Sequence, residues 1–415
     1  MTNHIMPGVT DPGPKAFRDG THRSVAPEQT IARVAPHLRE MGITRVANVT
    51  GLDVIGIPVV MACRPNARSL AVTQGKGLTL AAAKASALME SIEAYHAERL
   101  LRPLLLASAH EMRRARRAVD VDQLARTQPV VDKHMPFLWI EGHDLLQDEP
   151  VWVPFEAVHI DSTLRGRVNA GVFCCSTNGL ASGNHLLEAL SHALSEVVER
   201  DSTTLFGLLS DERRRRTRVD PDTVDDAACR EVLGRFAEAG VAVGVWETTT
   251  DVGMPSYFCQ IVERDDDRMR SLHASAGMGC HATRGVALLR ALTEAAQTRV
   301  TVIAGARDDV LRHEYDRHRA PDAIRDARRT IEEERPERPF GAAAEHRGET
   351  FEDDVRWMLR RLTRAGVERV VALDLTDDRL GIPVVKVVVP GLEGIHSFPG
   401  YVHGARARAS MEQPS

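Results

Sequence analysis

Apolar positions along this chain follow two rhythms, short strand-like runs and longer helical stripes, and three of the helical stripes share one pattern. The first is Ala83-x3-Ala87-Leu88-x-Glu90-x2-Glu93. The second is Ala189-x3-Ala193-Leu194-x-Glu196-x2-Glu199, and the third is Ala287-x3-Ala291-Leu292-x-Glu294-x2-Gln297. Glycines stand ahead of each: Gly75 and Gly77, Gly179 and Gly183, Gly277 and Gly279. The spacing predicts glycine-led helices over 78–100, 185–206 and 283–304. Other apolar-periodic segments predict helices at 27–41, within 211–240, and at 351–365, where Gly366 is placed to cap the C-terminus. Strands are expected at 44–49, 55–62, 151–160, 241–247, 255–262, 368–375 and 382–390. Residues 103–150 mix a basic helix with an apolar patch at 137–140, and residues 177–184 read as a turn by composition.

The run Gly381-Ile382-Pro383-Val384-Val385 repeats Gly56-Ile57-Pro58-Val59-Val60, and an aspartate stands three residues before each glycine (Asp53, Asp378). With the recurring helices this predicts an α/β (α+β) architecture of internally duplicated strand-helix units rather than independent modules. Chance is the alternative, since short strands draw on few residue types. The expected organisation is an extended, polar arm at 1–25 and one large catalytic unit at 26–405. That unit carries a charged insertion at about 306–350, read as surface helix plus a mobile loop around 335–348, and a disordered tail follows at 406–415.

Composition narrows the picture. A chain of 415 residues with 43% hydrophobic residues can bury a large core, and a net charge of −5 argues against nucleic acid or anionic membrane as the main partner. The runs Arg113-Arg114-Ala115-Arg116-Arg117 and Arg213-Arg214-Arg215-Arg216 lie near acids and read as solvated helix faces, with a leader-peptide or partner contact as the sharper alternative. Six cysteines with no C-x2-C pair point away from structural zinc or a disulfide framework and toward reduced thiols in a cytoplasmic protein. Cys280, in a glycine-rich segment, is left open as a reactive group. No apolar run reaches the ~18 residues of a membrane-spanning helix.

The candidate chemistry sits on the three stripes. Ser86, Glu90 and Glu93 share one helix face, as do Glu188, His192, Glu196 and Glu199, and as do Arg290, Glu294 and Gln297. Carboxylates that meet in a fold repel unless a cation lies between them, so the pattern predicts a hard divalent ion, with Mg²⁺ and phosphate leading. Lys76, between two glycines, is a candidate phosphate contact or a solvated turn lysine. It forms no P-loop, because G-x4-G-K-[ST] is absent. Arg290 lies on the face of Glu294 and is favoured for phosphate. Arg299 lies about 140° round the helix from Glu294, acting from the helix end or supporting structure. His192 is a candidate base or a hydrogen-bonded spacer, and Arg200 and Asp201 can pair with neighbouring charges.

Taken together, Ser86-x3-Glu90-x2-Glu93, Glu188-x7-Glu196-x2-Glu199-Arg200-Asp201, Arg290-x3-Glu294-x2-Gln297-x-Arg299 and the arm motif Gly20-Thr21-His22-Arg23 resemble the YcaO superfamily, over roughly residues 15–405. The resemblance implies a nucleotide site without a P-loop, lined by three helices, and activation of peptide-backbone amides by O-phosphorylation with ATP and Mg²⁺. It assigns Glu90, Glu93, Glu196 and Glu199 to the metal and phosphates, and Ser86, Glu188, Glu294 and Gln297 to the pocket. Lys15, Arg23, Lys76, Arg200, Arg290 and Arg299 become nucleotide contacts, and Glu199, Arg290 and Arg299 become catalytic. The ending Met411-Glu412-Gln413-Pro414-Ser415 lacks the proline-rich tail of azoline-forming members. The segment Val387-Val388-Val389-Pro390-Gly391-Leu392-Glu393 looks more like members that make thioamides beside a TfuA-like partner. The expected partners are therefore a TfuA-like protein and a precursor peptide, with a homodimer carried over from the family. An azoline-forming cyclodehydratase and a non-catalytic nucleotide-binding scaffold are the alternatives.

Overall fold

The structure is a computed structural model, and it describes residues 5–164, 171–265, 272–307 and 320–412. In chain order it runs α1 (Pro27–Val34), β1 (Arg45–Asn48), β2 (Val59–Cys63), β3 (Val72–Lys76), α2 (Leu80–Ala97), β4 (Leu104–Ser108), α3 (Ala109–Ala115), β5 (Pro136–Asp144) and β6 (Glu149–Pro154). It continues with β7 (Leu180–Ser182), α4 (Leu186–Gly207), α5 (Asp211–Arg216), β8 (Val219–Asp220), α6 (Ala227–Glu238), β9 (Val241–Glu247), β10 (Ser256–Glu263), β11 (Ser275–Cys280) and α7 (Arg284–Ala304). The C-terminal part holds α8 (Pro321–Glu333), β12 (Arg338–Pro339), α9 (Phe351–Arg364), β13 (Val371–Asp374), β14 (Val384–Val388) and α10 (Ala405–Glu412).

The same motif occurs three times. Strands β1-β2-β3 form one antiparallel meander, and β9-β10-β11 form another. The third, β13-β14-β7, is assembled from distant sequence. The helix after each last strand packs on it: α2 on β3, α7 on β11, α4 on β7. A helix that precedes each meander packs on that helix in turn: α1 on α2, α6 on α7, α9 on α4. The repeated pentapeptide marks equivalent places, because Gly56 and Gly381 take φ values of 74° and 61° just before the middle strands β2 and β14. Both sit in the left-handed region, where a side chain is strained.

The glycines ahead of the three helices lie in or beside strands, not in the free turns their composition suggests. Gly75 belongs to β3 and Gly277 and Gly279 to β11, and part of the expected turn at 177–184 is β7. The reason is close packing. A Cβ on Gly75 would lie 2.0 Å from the Ala87 nitrogen, and one on Gly277 would lie 2.3 Å from the Ala291 oxygen. Only a bare backbone lets each helix rest directly on its strand.

The arm crosses the surface without helix or strand, held by bridges from Pro14 to Thr350 and from Phe17 to Arg23. Ile5, Met6 and Lys15 are buried in it. The segment 335–348 runs against the body: β12 pairs in parallel with β8, and Phe340 and Ala343 are buried. Residues 308–319 of the expected charged insertion lie outside the described residues. The expected disordered tail is a correction. Residues Ala405–Glu412 form α10, because Arg406 pairs with buried Asp201 at 3.0 Å and buried Glu393 accepts from the Gly404 and Ala407 nitrogens. Its final residues, 413–415, lie outside the described residues. All six cysteines are free. No helix among the described residues is long and apolar enough to cross a membrane.

Candidate functional site

Each of α2, α4 and α7 carries its paired residues at the same distance from its start, so threefold repetition of the motif brings the pairs toward one centre. The second member of each pair locks onto the last strand of the next unit. The Glu93 carboxylate accepts from the Ser182 nitrogen (2.8 Å) and hydroxyl (2.7 Å) on β7. Glu199 Oε2 accepts from the Cys280 nitrogen on β11 at 3.0 Å. Gln297 Nε2 donates to the Gln74 carbonyl on β3 at 2.9 Å, which closes the ring. This explains the amide in the third copy: its partner is an acceptor, so a donor is required.

The first members, Glu90, Glu196 and Glu294, are left for chemistry. Glu294 Oε2 lies 2.5 Å from Lys76 Nζ, and its other oxygen accepts from the Met278 nitrogen at 3.3 Å. Burial alone would raise the Glu294 carboxyl, but Lys76, with Arg200 and Arg290, holds it below the usual range. Arg200 lies 3.7 Å from Glu196 and 3.9 Å from Glu199. Arg290 reaches Glu199 at 3.9 Å and His192 Nε2 at 3.0 Å. Burial, then Arg290 and Arg23, push the His192 imidazole far down, so it is a neutral acceptor spacer and not a proton carrier near pH 7.

For the remaining acids, burial outweighs the nearby cations. Burial pushes Glu93 up to about 8, with Glu90 and Glu196 adding repulsion and Ser182 opposing. Burial likewise pushes Glu196 up to about 7. Burial pushes Glu90 up to about 7 against Lys76 and Arg307, yet its side chain is exposed, which moderates the push. Protein cations thus fall short of the carboxylates at this centre. The oxygen donors of Glu90, Glu93, Glu196 and Glu199, with the charge deficit, are of the kind a hard divalent ion relieves. Glu93 and Glu199 each retain one carboxylate oxygen beyond their backbone bonds. Ser86 sits half-buried on the same face of α2.

Other expected residues fall elsewhere. Glu188 is buried and ties down the arm, accepting from the Ser24 nitrogen (3.0 Å) and from Arg23 (3.4 Å). Lys15 Nζ is buried against Asp354 at 2.6 Å and donates to the Gly348 carbonyl at 2.9 Å. Arg299 is buried between Asp53 (3.0 Å) and Glu263 (2.8 Å), the arrangement of the structure-supporting alternative expected for it. Cys280 is buried and its thiol is pushed up to about 12 by burial, which makes it inert. Sequence reasoning missed Lys386, a fully buried lysine in the otherwise apolar strand β14. Its signal was a charge in the run Val384-Val385-Lys386-Val387-Val388. Ser182 and Gln74, the partners of the ring, carried no local signal.

A family profile described as "YcaO cyclodehydratase, ATP-ad Mg2+-binding" matches residues 74–393. An uncharacterized protein in the tfuA 3' region of Rhizobium leguminosarum bv. trifolii is 40% identical over 375 residues, covering 89% of this chain and 88% of that one. An uncharacterized protein of Methanothermobacter thermautotrophicus is 35% identical over 400 residues, covering 94% and 99%. Among solved structures, YcaO from Methanopyrus kandleri bound with AMPPCP and Mg2+ matches with a TM-score of 0.71 at 22% identity, over 92% of this chain and 94% of that one. A heterocyclase in complex with substrate and cofactor matches with a TM-score of 0.76 at 21% identity; the match covers 94% of this chain but only 55% of the heterocyclase. The matched span includes all three helices and the whole ring of paired residues, and on these grounds the chain belongs to the YcaO family of ATP- and Mg²⁺-binding proteins.

Proposed function

We propose that this chain activates a peptide backbone amide by ATP-dependent O-phosphorylation and converts it to a thioamide, with sulfur supplied by a TfuA-like partner. The observation that carries the activation step is the carboxylate centre faced by Lys76, Arg200 and Arg290. Phosphoryl transfer needs positioning and charge neutralisation more than a covalent nucleophile, and the only thiol bonded into this ring, Cys280, is inert. The thioamide product is supported by the relative encoded beside tfuA. In the reaction, hydrosulfide forms a C–S bond to the amide carbon while the carbonyl electron pair moves to oxygen. That oxygen takes the γ-phosphoryl group and ADP leaves. The C–O bond then breaks, phosphate departs with the sulfur's proton, and C=S remains. Mg²⁺, when bound, spreads the charge of the transferring group. Glu90, Glu93, Glu196 and Glu199 would hold the ion, Glu93 and Glu199 through the oxygens their strand bonds leave free, and Lys76, Arg200 and Arg290 would orient the phosphates.

Azoline formation is the second reading, favoured by the similarity to a heterocyclase. Mass spectrometry of the product separates them: a ring loses water, whereas exchange of oxygen for sulfur adds mass. Glu90→Gln is expected to abolish peptide-dependent ADP release while the protein stays folded. Turnover at the wild-type rate would sink the site assignment.

A further inference from the structure

Lys386 has no role in the ring and no carboxylate within 4.0 Å among the described residues. It is 1% exposed, and its ammonium, which has three donors, donates to the Ser176 carbonyl at 2.6 Å. Buried lysines are ordinarily paired, because an uncompensated charge in the interior is costly. Beside it lies a cavity of about 50 Å³. The walls include Lys386, Asn178, Ser176, Cys174, Val197 and Glu393. That volume holds one or a few water-sized species and excludes a nucleotide or a side chain of any size. The Asn178 side-chain oxygen is buried with no partner, so the amide is free to turn its NH₂ inward. Glu393 shares the cavity wall but forms no ion pair with the lysine within 4.0 Å; its oxygens accept from the Tyr401 hydroxyl and from the Gly404 and Ala407 nitrogens.

The link between the cavity and the carboxylate centre is Lys386 itself. Lys386 and Glu196 are close enough for each to stabilise the other's charge. Burial pushes the Lys386 ammonium down to about 8, with Glu196 and Cys175 only partly opposing. The Cys174 and Cys175 thiols are pushed up by burial, to about 12 and about 11, so neither supplies a compensating anion near pH 7. A buried cation, an orphaned amide and a water-sized space together describe a receptor for a small monoanion.

We propose that this cavity binds the hydrosulfide ion that attacks the amide, with Lys386 as its counter-charge and Asn178 as a second donor. The inference rests on the thioamide reading above, and it places the nucleophile beside Lys386, within electrostatic reach of Glu196. The test uses the full-length protein and two probes. Crystals soaked in sodium bromide should show anomalous density in the cavity of the wild type and none in Lys386→Met. In ATP-dependent peptide thioamidation with sodium hydrosulfide, Lys386→Met should raise KM for hydrosulfide roughly tenfold or more, the loss expected for a charged hydrogen bond, and leave KM for ATP unchanged. Asn178→Asp, on the loop before β7, should act in the same direction and keeps the test open if Lys386→Met does not fold. No bromide in the wild type, or an unchanged hydrosulfide KM in a folded variant, would overturn the assignment. Bromide lost in Lys386→Met together with sulfide-independent turnover of the wild type would instead remove the thioamide reading, and hydrosulfide as the occupant with it.

Discussion

Gly75→Ala is the sharpest test of how the site is held. The new Cβ would lie 2.0 Å from the Ala87 nitrogen and 2.2 Å from the Ala83 oxygen, both backbone atoms in α2. Backbone cannot rotate aside, so α2 and β3 must separate by roughly 1 Å or more to reach ordinary contact distance. Overpacking of this kind costs about 1–3 kcal/mol. The functional cost is larger, because α2 carries both Glu90 and Glu93. A shift of that size weakens the Glu93 bonds to Ser182 and misplaces Glu90 relative to Glu196, and displacement by about 1 Å is worth on the order of 100-fold in rate. The assay is peptide-dependent ADP release beside thermal unfolding, with Gly234→Ala as the control. Gly234 lies inside α6 with nothing within 4 Å of an added Cβ, so alanine there should stabilise by about 0.5–1 kcal/mol through helix propensity. Gly75→Ala with wild-type melting and turnover would refute the close-packing account.

Three further outcomes follow from the same geometry. Glu93 (about 8) and Glu196 (about 7) bind protons more tightly in the folded chain than in the unfolded one. Stability without nucleotide should therefore fall as pH rises from about 7.5 to 8, where the depressed histidines are neutral in the unfolded chain as well and no longer oppose the slope; Mg²⁺ with ATP should flatten it in a melting series. Arg299→Met leaves Asp53 and Glu263 facing each other without their cation, so melting should drop by the equivalent of about 3–5 kcal/mol, with KM for ATP unchanged if the role is structural. Arg406→Ala strands Asp201, which is 0% exposed, with the Glu393 nitrogen as its remaining bonded donor. A loss of similar size is expected, with α10 becoming susceptible to limited proteolysis, and an unchanged melting point would return the tail to the expected disorder.

Sequence alone determined the three helices, the pairing of acids on one face of each, and the family, because helical periodicity is local and each helix carries its own copy of the signal. It also predicted β9 and β10 closely, since both are compact apolar runs of the right length. Only the tertiary structure showed what each of these side chains meets. Glu93, Glu199 and Gln297 are indistinguishable from their neighbours in sequence, yet each is committed to a strand from another unit, and in the third unit that strand lies far away in the chain. The same holds for Arg299, left open in sequence between the helix end and a structural role, whose charge faces Asp53 and Glu263. It holds for the glycines, whose necessity comes from a helix backbone resting on them. Periodicity tells a residue which side of its own element it occupies. What lies on that side, a backbone donor, a counter-charge or open space for a ligand, is set by elements that meet it only when the chain folds.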